Sequence, residues 1–266
     1  MKLIDAEILE NRQVLPGHRH IHARGILGSW LIRLNCPDIA REARPGQFLM
    51  VRCGPETTLP RPFSIHQAEG DDIALLYAVR ENGRGTEWLS RQKAGTSVSI
   101  LGPLGNGFVI DPKARNLLLV AGGIGIAPLY FLARQAVKDK RKVALLYGTV
   151  DGNRYPVPSE IDVVAVTEDG SVGDKGLVTD LLPRLVRRAE QVFACGPMPM
   201  YRAMFNRQSQ LTLKGKPVQI SLEVRMGCGV GVCYGCTVKT KSGLKQVCKD
   251  GPIFELDEIL WDELNI

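Results

Sequence analysis

The chain has no strong excess of one charge, no internal repeat, no low-complexity tract and no even set of cysteines. Each absence removes a class of protein. Lys and Arg number 34 against 28 Asp and Glu, a net charge of +6 over 266 residues. That suits phosphate-bearing ligands or an acidic partner, but it falls short of a nucleic-acid footprint. The basic runs KDKRK (138–142) and RLVRR (184–188) are expected as solvated helix faces. The opening MKLIDAEILENRQ lacks the apolar run and small-residue cleavage site of a secretory leader, so a cytoplasmic location is expected. The long uncharged stretch from Leu117 to Ala133 is broken by GGIG and Pro128; it reads as a buried strand, a glycine turn and a helix start, with no membrane contact. Seven cysteines are an odd number, and Cys36, Cys53 and Cys195 stand alone, so a disulfide framework explains them poorly. As single thiols they read as small buried hydrophobes.

What is present divides the chain in three. Residues 1–103 carry short alternating stretches such as SWLIRLN, GQFLMVRC and DIALLYAVR, punctuated by Pro and Gly, which predict an antiparallel barrel or sandwich. GPLGNG (102–107) reads as the first linker. Over 104–216 apolar strands (NLLLVAGG, KVALLYGTV, IDVVAVTED, QVFACGP) alternate with helical stretches, the pattern of βαβ units and a parallel sheet. Residues 217–266 hold a Cys/Gly segment and then ELDEILWDEL, read as an acidic amphipathic helix. The 44% hydrophobic content is enough for cores of this number and size.

GCGVGVCYGC (227–236) packs three thiols and four glycines into ten residues. With Cys248 the spacing of Cys228, Cys233, Cys236 and Cys248 is C-x4-C-x2-C-x11-C. Its first part is the plant-type ferredoxin pattern for a [2Fe–2S] cluster. A structural zinc site is the alternative, yet it usually supplies two C-x2-C knuckles where this chain has one. Gly227, Gly229, Gly231 and Gly235 also favour the cluster, since they permit positive φ and close backbone approach.

Two further segments suit phosphates. Gly122, Gly123 and Gly125 follow a buried strand and precede a helix, where free N–H groups and the positive dipole end face an anion. The spelling is not G-x-G-x-x-G, so a tight turn without ligand competes with that reading. Cys195, in ACGPMPM at a strand end, is a candidate to face a nicotinamide, and Asp151 one to bond an adenosine ribose, favouring NAD over NADP. In the first domain Pro60 and Pro62 of LPRPFSIHQ fix the backbone and preset Arg61 and Ser64, and NGRGTEWLS places Gly83, Gly85 and Thr86 before a helix.

RPFS, GPLG, GGIGIAP and ACGPMP in this order resemble the ferredoxin-reductase-like flavoproteins, which pair an antiparallel FAD-binding β-barrel with a Rossmann-like NAD-binding sheet. SLEVRMGCGVGVCYGCTVKT and QVCKDGPIF are similar to the electron-transfer subunits of type B dihydroorotate dehydrogenases, whose third part is a small C-terminal iron–sulfur domain. The resemblance implies FAD, a [2Fe–2S] cluster and NAD as cofactors. It puts Arg61, Pro62, Phe63 and Ser64 on FAD, Arg61 at the pyrophosphate and Ser64 near the ring. Ala78, Val79 and Arg80 would line the same site, and Gly85 and Thr86 would complete it. The partner implied is an FMN-containing subunit that oxidises dihydroorotate, in a heterotetramer. A subunit linking NAD(P)H to ferredoxin or a hydrogenase is the nearest alternative, and a zinc-stabilised binding module a distant one. His18, His20 and His22 could share one face as metal ligands, but a solvent-facing strand explains them better. Ser64 has no positioned base and is not expected as a nucleophile.

Overall fold

The computed structural model describes residues 1–18 and 25–264. His20 and His22, with the side chain of His18, lie outside what is described.

Strands β1 (Lys2–His18), β2 (Ile26–Asn35), β3 (Phe48–Val51), β4 (Arg61–Glu69), β5 (Asp72–Arg80) and β6 (Ser97–Leu104) close into an antiparallel barrel, in the order β1-β2-β5-β4-β3-β6. Helix α1 (Pro37–Ala40) links β2 to β3, and α2 (Arg84–Ser90) links β5 to β6. The period of two gives each strand an inside and an outside. Along β5, Ile73, Leu75, Tyr77 and Val79 fill the barrel. Ala74 and Leu76, between them, join a second core shared with the neighbouring sheet. DIALLYAVR is therefore apolar on both faces because both are covered.

The second layer starts with β7 (Asn116–Gly122), an apolar strand that ends in a 3-10 turn, Gly123–Gly125, and α3 (Ile126–Lys138). There follow β8 (Lys142–Thr149), β9 (Asp162–Thr167), β10 (Asp174–Lys175), α4 (Val178–Val186), β11 (Gln191–Cys195), α5 (Met198–Asn206) and β12 (Val218–Ser221). A hairpin of β13 (Thr237–Thr240) and β14 (Gly243–Gln246), a turn of helix α6 (Val247–Asp250) and β15 (Ile253–Glu255) complete the chain. The sheet order is β10-β9-β8-β7-β11-β12-β15, parallel except for β15. From β7 the chain winds outward through β8 to β10, then restarts on the other side with β11. The switch point lies at the C-terminal ends of β7 and β11, where Ala121 pairs with Cys195. Open parallel sheets bind ligands in the crevice at such a point.

Three differences from expectation have physical causes. The sheet runs past residue 217, since β12 and β15 come from the C-terminal segment and finish its edge. KDKRK is a turn: Lys138 ends α3 and Lys142 begins β8. The acidic helix over 255–264 does not form. Its backbone bonds outward instead, Leu256 N–H to Val218 at 2.8 Å and Leu260 N–H to Lys239 at 3.1 Å. Trp261 and Ile259 are buried by those cross-links, Trp261 donating from Nε1 to the Leu256 carbonyl at 2.9 Å. Burying side chains of this size is worth about 1.5–3 kcal/mol each, well above the ~0.3 kcal/mol that an exposed acidic–basic pair adds to a helix. Among the described residues no helix is long and apolar enough to cross a membrane.

Candidate functional site

At the switch point the two strand-end turns meet without space between them. A Cβ on Gly125 would lie 2.0 Å from the Cys195 carbonyl oxygen, so only glycine lets the turn after β7 rest on the turn after β11. That second turn is fixed by Tyr201, whose hydroxyl accepts from Gly196 N–H at 2.9 Å and donates to the Ser221 carbonyl at 2.7 Å. Gly122, Gly123 and Gly125 line a cleft of about 460 Å³, with Asp151, Glu168 and Glu223 also on its wall. The opposite wall is the barrel's, and includes Ala78 and Arg80. Asp151 accepts from Asn153 N–H at 2.9 Å, which orients its carboxylate at the rim.

Cys195 is fully buried beneath the cleft. Its Sγ lies 3.9 Å from Glu223 Oε1. Burial pushes the Cys195 thiol well above its ordinary pKa, and the neighbouring Glu223 adds to the shift. The Glu223 carboxyl is raised too, by the protein packed around it, although the Arg80 guanidinium and the Cys195 thiol oppose this. Burial keeps the Cys195 thiol protonated, and it can donate to the Glu223 carboxyl that lines the cleft.

A second cradle, of about 400 Å³, sits at the end of the barrel. It brings together Arg61, Ala78, Arg80, Arg84, Gly85 and Thr86. Three arginines outnumber the single carboxylate, Glu81, around the turn into α2, so the hollow is cationic on balance and suits a pyrophosphate. Arg61 is held there, Nη1 donating to the Leu59 carbonyl at 2.6 Å. Thr86 Oγ1 donates to the Gly83 carbonyl at 3.1 Å. Ala78 and Arg80 line both hollows, so the two are contiguous. Pro62 and Ser64 lie on the same outward parity of β4, half-buried. Phe63 and Val79 are turned into the barrel core, where Phe63 packs edge-on to Tyr77 at 5.4 Å; only their backbone can reach a ligand.

The cysteine loop brings its thiols together. Cys233 acts on the Cys228 thiol, Cys248 N–H donates to Cys236 Sγ at 3.4 Å, and Cys228 is also within electrostatic reach of Cys248. Among the described residues no three His, Cys, Asp or Glu side chains are placed to hold one metal ion. Two thiols for each of two irons is the donor set of a [2Fe–2S] cluster, and four thiols around one point that of zinc. Backbone N–H groups already face the sulfurs, Gly231 to Cys248 at 3.1 Å and Val230 to Cys228 at 3.4 Å. Burial opposes ionisation of Cys228, but the N–H groups of Val230, Cys233 and Val232 outweigh it and bring its thiol down to about 6. Cys236 and Cys248 are buried, whereas Cys233 is exposed between Val232 and Tyr234, themselves 72% and 70% exposed. The loop leans on the barrel: at Gly229 φ is +76°, and a Cβ would lie 2.4 Å from Met50 Cγ. Met50 pairs with Pro62 across β3 and β4.

Reasoning from sequence missed Glu223, Glu168 and Arg84. Glu223 follows a strand end in the sheet, the one signal that could have marked it.

Barrel, switch-point glycine turn and cysteine loop define a ferredoxin-reductase-like oxidoreductase with an iron–sulfur centre. A solved chain of NADH-dependent reduced ferredoxin–NADP oxidoreductase, described for flavin-based electron bifurcation, superposes with a TM-score of 0.79 at 28% identity, covering 97% of this chain and 91% of that one. Residues 223–260 match the iron–sulfur cluster binding domain of dihydroorotate dehydrogenase B. The electron transfer subunit of dihydroorotate dehydrogenase B (NAD(+)) from Caldanaerobacter subterraneus subsp. tengcongensis is 39% identical over 226 residues, 83% of this chain and 89% of that protein. Its counterpart from Desulforamulus reducens is 36% identical over 98% of this chain and 99% of its own. The chain belongs to the family of dihydroorotate dehydrogenase B electron transfer subunits.

Proposed function

We infer that this chain carries electrons from a dihydroorotate-oxidising, FMN-containing subunit to NAD+, for pyrimidine biosynthesis in the cytoplasm. The observation that carries the reading is the contact of the cysteine loop with the barrel: Gly229 rests on Met50, and Met50 pairs with Pro62 beside Arg61 and Ser64. FAD, when bound, supplies the exchange between a two-electron hydride and the single electrons that a [2Fe–2S] cluster handles.

The residues divide the work. Cys228, Cys233, Cys236 and Cys248 hold the cluster. Arg61, Arg80, Gly85 and Thr86 hold the FAD pyrophosphate, with Pro62, Ser64, Ala78 and the backbone of Phe63 and Val79 beside it. Gly122, Gly123 and Gly125 receive the NAD phosphates, and Glu223 stands on the cleft wall, with the Cys195 thiol buried behind it and out of direct reach of a nicotinamide. A carboxylate at Asp151 accepts ribose hydroxyls and repels a 2′-phosphate, which favours NAD over NADP. Residues 1–103, 104–216 and 217–266 act as FAD, NAD and cluster units, although β12 and β15 lend the third unit's chain to the second unit's sheet. The exposed face of Val232, Cys233 and Tyr234 is where the catalytic subunit docks, in a heterotetramer. The curated relatives do not favour the ferredoxin or hydrogenase alternative.

Mixing the anaerobically purified chain with its FMN subunit tests the reading. NAD+ is reduced only when dihydroorotate and both chains are present; ferredoxin reduction without any orotate formed would refute it.

A further inference from the structure

We propose that His66 is a positioning residue that sets the gap between the flavin and dinucleotide sites, by fastening β4 to the first turn of α3. The inference rests on the reading that both cofactors bind as assigned above. His66 lies two residues beyond Ser64 on β4, and its ring is wholly buried. Nδ1 stands 2.9 Å from the carbonyl oxygen of Ala127, itself two residues beyond Gly125. One short bridge therefore joins the strand that bears Arg61 to Ser64 and the helix that opens on the phosphate turn. A rotation of barrel against sheet has to break it.

Because a carbonyl only accepts, Nδ1 carries the proton and the tautomer is fixed. Nε2 is buried and has no hydrogen-bond partner among the described residues. An unpartnered buried nitrogen costs stability, so packing alone would favour a phenylalanine. The imidazole adds what phenylalanine lacks, a directional bond from barrel to helix. Aromatic rings hold it in place: His66 stacks on Tyr130 of α3 with centroids 4.4 Å apart and meets Tyr155 edge-on at 4.8 Å. Tyr155 lies in the segment after Asp151, so the ring touches three elements that converge on the cofactor sites. Burial keeps the imidazole neutral, its pKa brought down to about 4 against the opposing pull of the Ala127 bond.

The test uses the full chain, purified anaerobically with its cofactors, and three variants. In His66→Asn the carboxamide nitrogen occupies the place of Nδ1; in His66→Gln it occupies that of Nε2; His66→Phe keeps only the stacking. The readouts are FAD content, thermal midpoint, and the long-wavelength absorbance that nicotinamide stacked on the flavin gives after mixing with NADH. His66→Phe and His66→Gln are expected to lose that absorbance and slow flavin reduction roughly tenfold or more, as misplacement by a fraction of an ångström to an ångström does. His66→Asn restores both, and His66→Phe keeps its FAD and melts no lower than the unaltered chain. The proposal is overturned if His66→Phe retains the absorbance and rate, or if His66→Asn loses them as fully as His66→Phe. An unaltered chain without flavin would sink the cofactor assignment, and the inference with it.

Discussion

Arg61 meets Gly85 at the end of the barrel, where a Cβ on the glycine would sit 3.3 Å from the guanidinium Nε. Its side chain lines the open cradle, no ion pair takes up its charge among the described residues, and that makes it the main anchor of the proposed pyrophosphate site. Removing one charge-assisted hydrogen-bonding group costs about 1.5–3 kcal/mol. Arg61→Ala is therefore expected to weaken FAD retention roughly tenfold to a hundredfold in an ultrafiltration assay, with the barrel still folded. His66 gives a different signature. Its pKa falls from an unfolded value of 6.5 to about 4 on folding, through burial first. The unfolded chain binds the proton more readily in that window, so the stability tied to a neutral ring is full above pH 6.5 and is lost as pH drops towards 4. Denaturant titrations should show up to about 3 kcal/mol lost across the window, with Tyr130, Tyr155 and the Ala127 carbonyl facing the ring. His66→Phe should flatten that limb. Which residues were legible follows from locality. The cysteines announce themselves by spacing along one loop, whereas Glu223 reaches Cys195 only because β12 pairs with β11.

Elements carry the next level of constraint. The cysteine loop has no regular structure, and its shape is set by positive-φ glycines pressed against neighbours, Gly229 on Met50 most tightly. Gly229→Val adds both a strained φ and an overlap with the barrel, each costing about 1–3 kcal/mol. Iron content per chain should fall to a minor fraction, while Gly243→Ala, at a φ of +104° but with nothing near its Cβ, should leave it close to normal. Strands such as β2, β3, β5, β7, β8, β9 and β11 and the helices α3 and α4 were readable because their periodicity matches their burial, whereas β1, α1, β10 and α5 were not, and the end of β6 read as a linker. DIALLYAVR gave its bounds residue for residue. ELDEILWDEL misled because an amphipathic pattern says nothing about competition for backbone bonds, and here β12 and β13 take them. The same blindness moved β12 and β15 into the second sheet, since edge pairing is a property of the assembled fold.

For the whole molecule the order of parts matters more than any one of them. The cysteine loop leans on β3, β3 pairs with β4, and β4 packs against the helix of the phosphate turn, so the three proposed cofactor sites follow one another through contiguous structure. The buried thiols Cys236 and Cys248 lie inward, while Cys233 opens to solvent between Val232 and Tyr234. An exposed aromatic side chain in a left-handed conformation, φ +57° at Tyr234, is an apt anchor for a partner. Truncating such an anchor typically costs 2 kcal/mol or more. Tyr234→Ala should thus weaken assembly with the catalytic subunit by roughly thirtyfold in a sedimentation or surface-binding measurement, with iron and flavin content unchanged.

The central claim is that one chain holds both a two-iron cluster and a flavin within electron reach of NAD. Anaerobic titration of the isolated chain with NADH, followed by absorbance and low-temperature electron spin resonance with iron, zinc and flavin counted, tests it most directly. The account predicts two irons and one flavin per chain, loss of the flavin's yellow absorbance, and a spin signal from the reduced cluster that appears with it. A chain that carries zinc in place of iron, or a flavin that bleaches while the cluster stays silent, would contradict it.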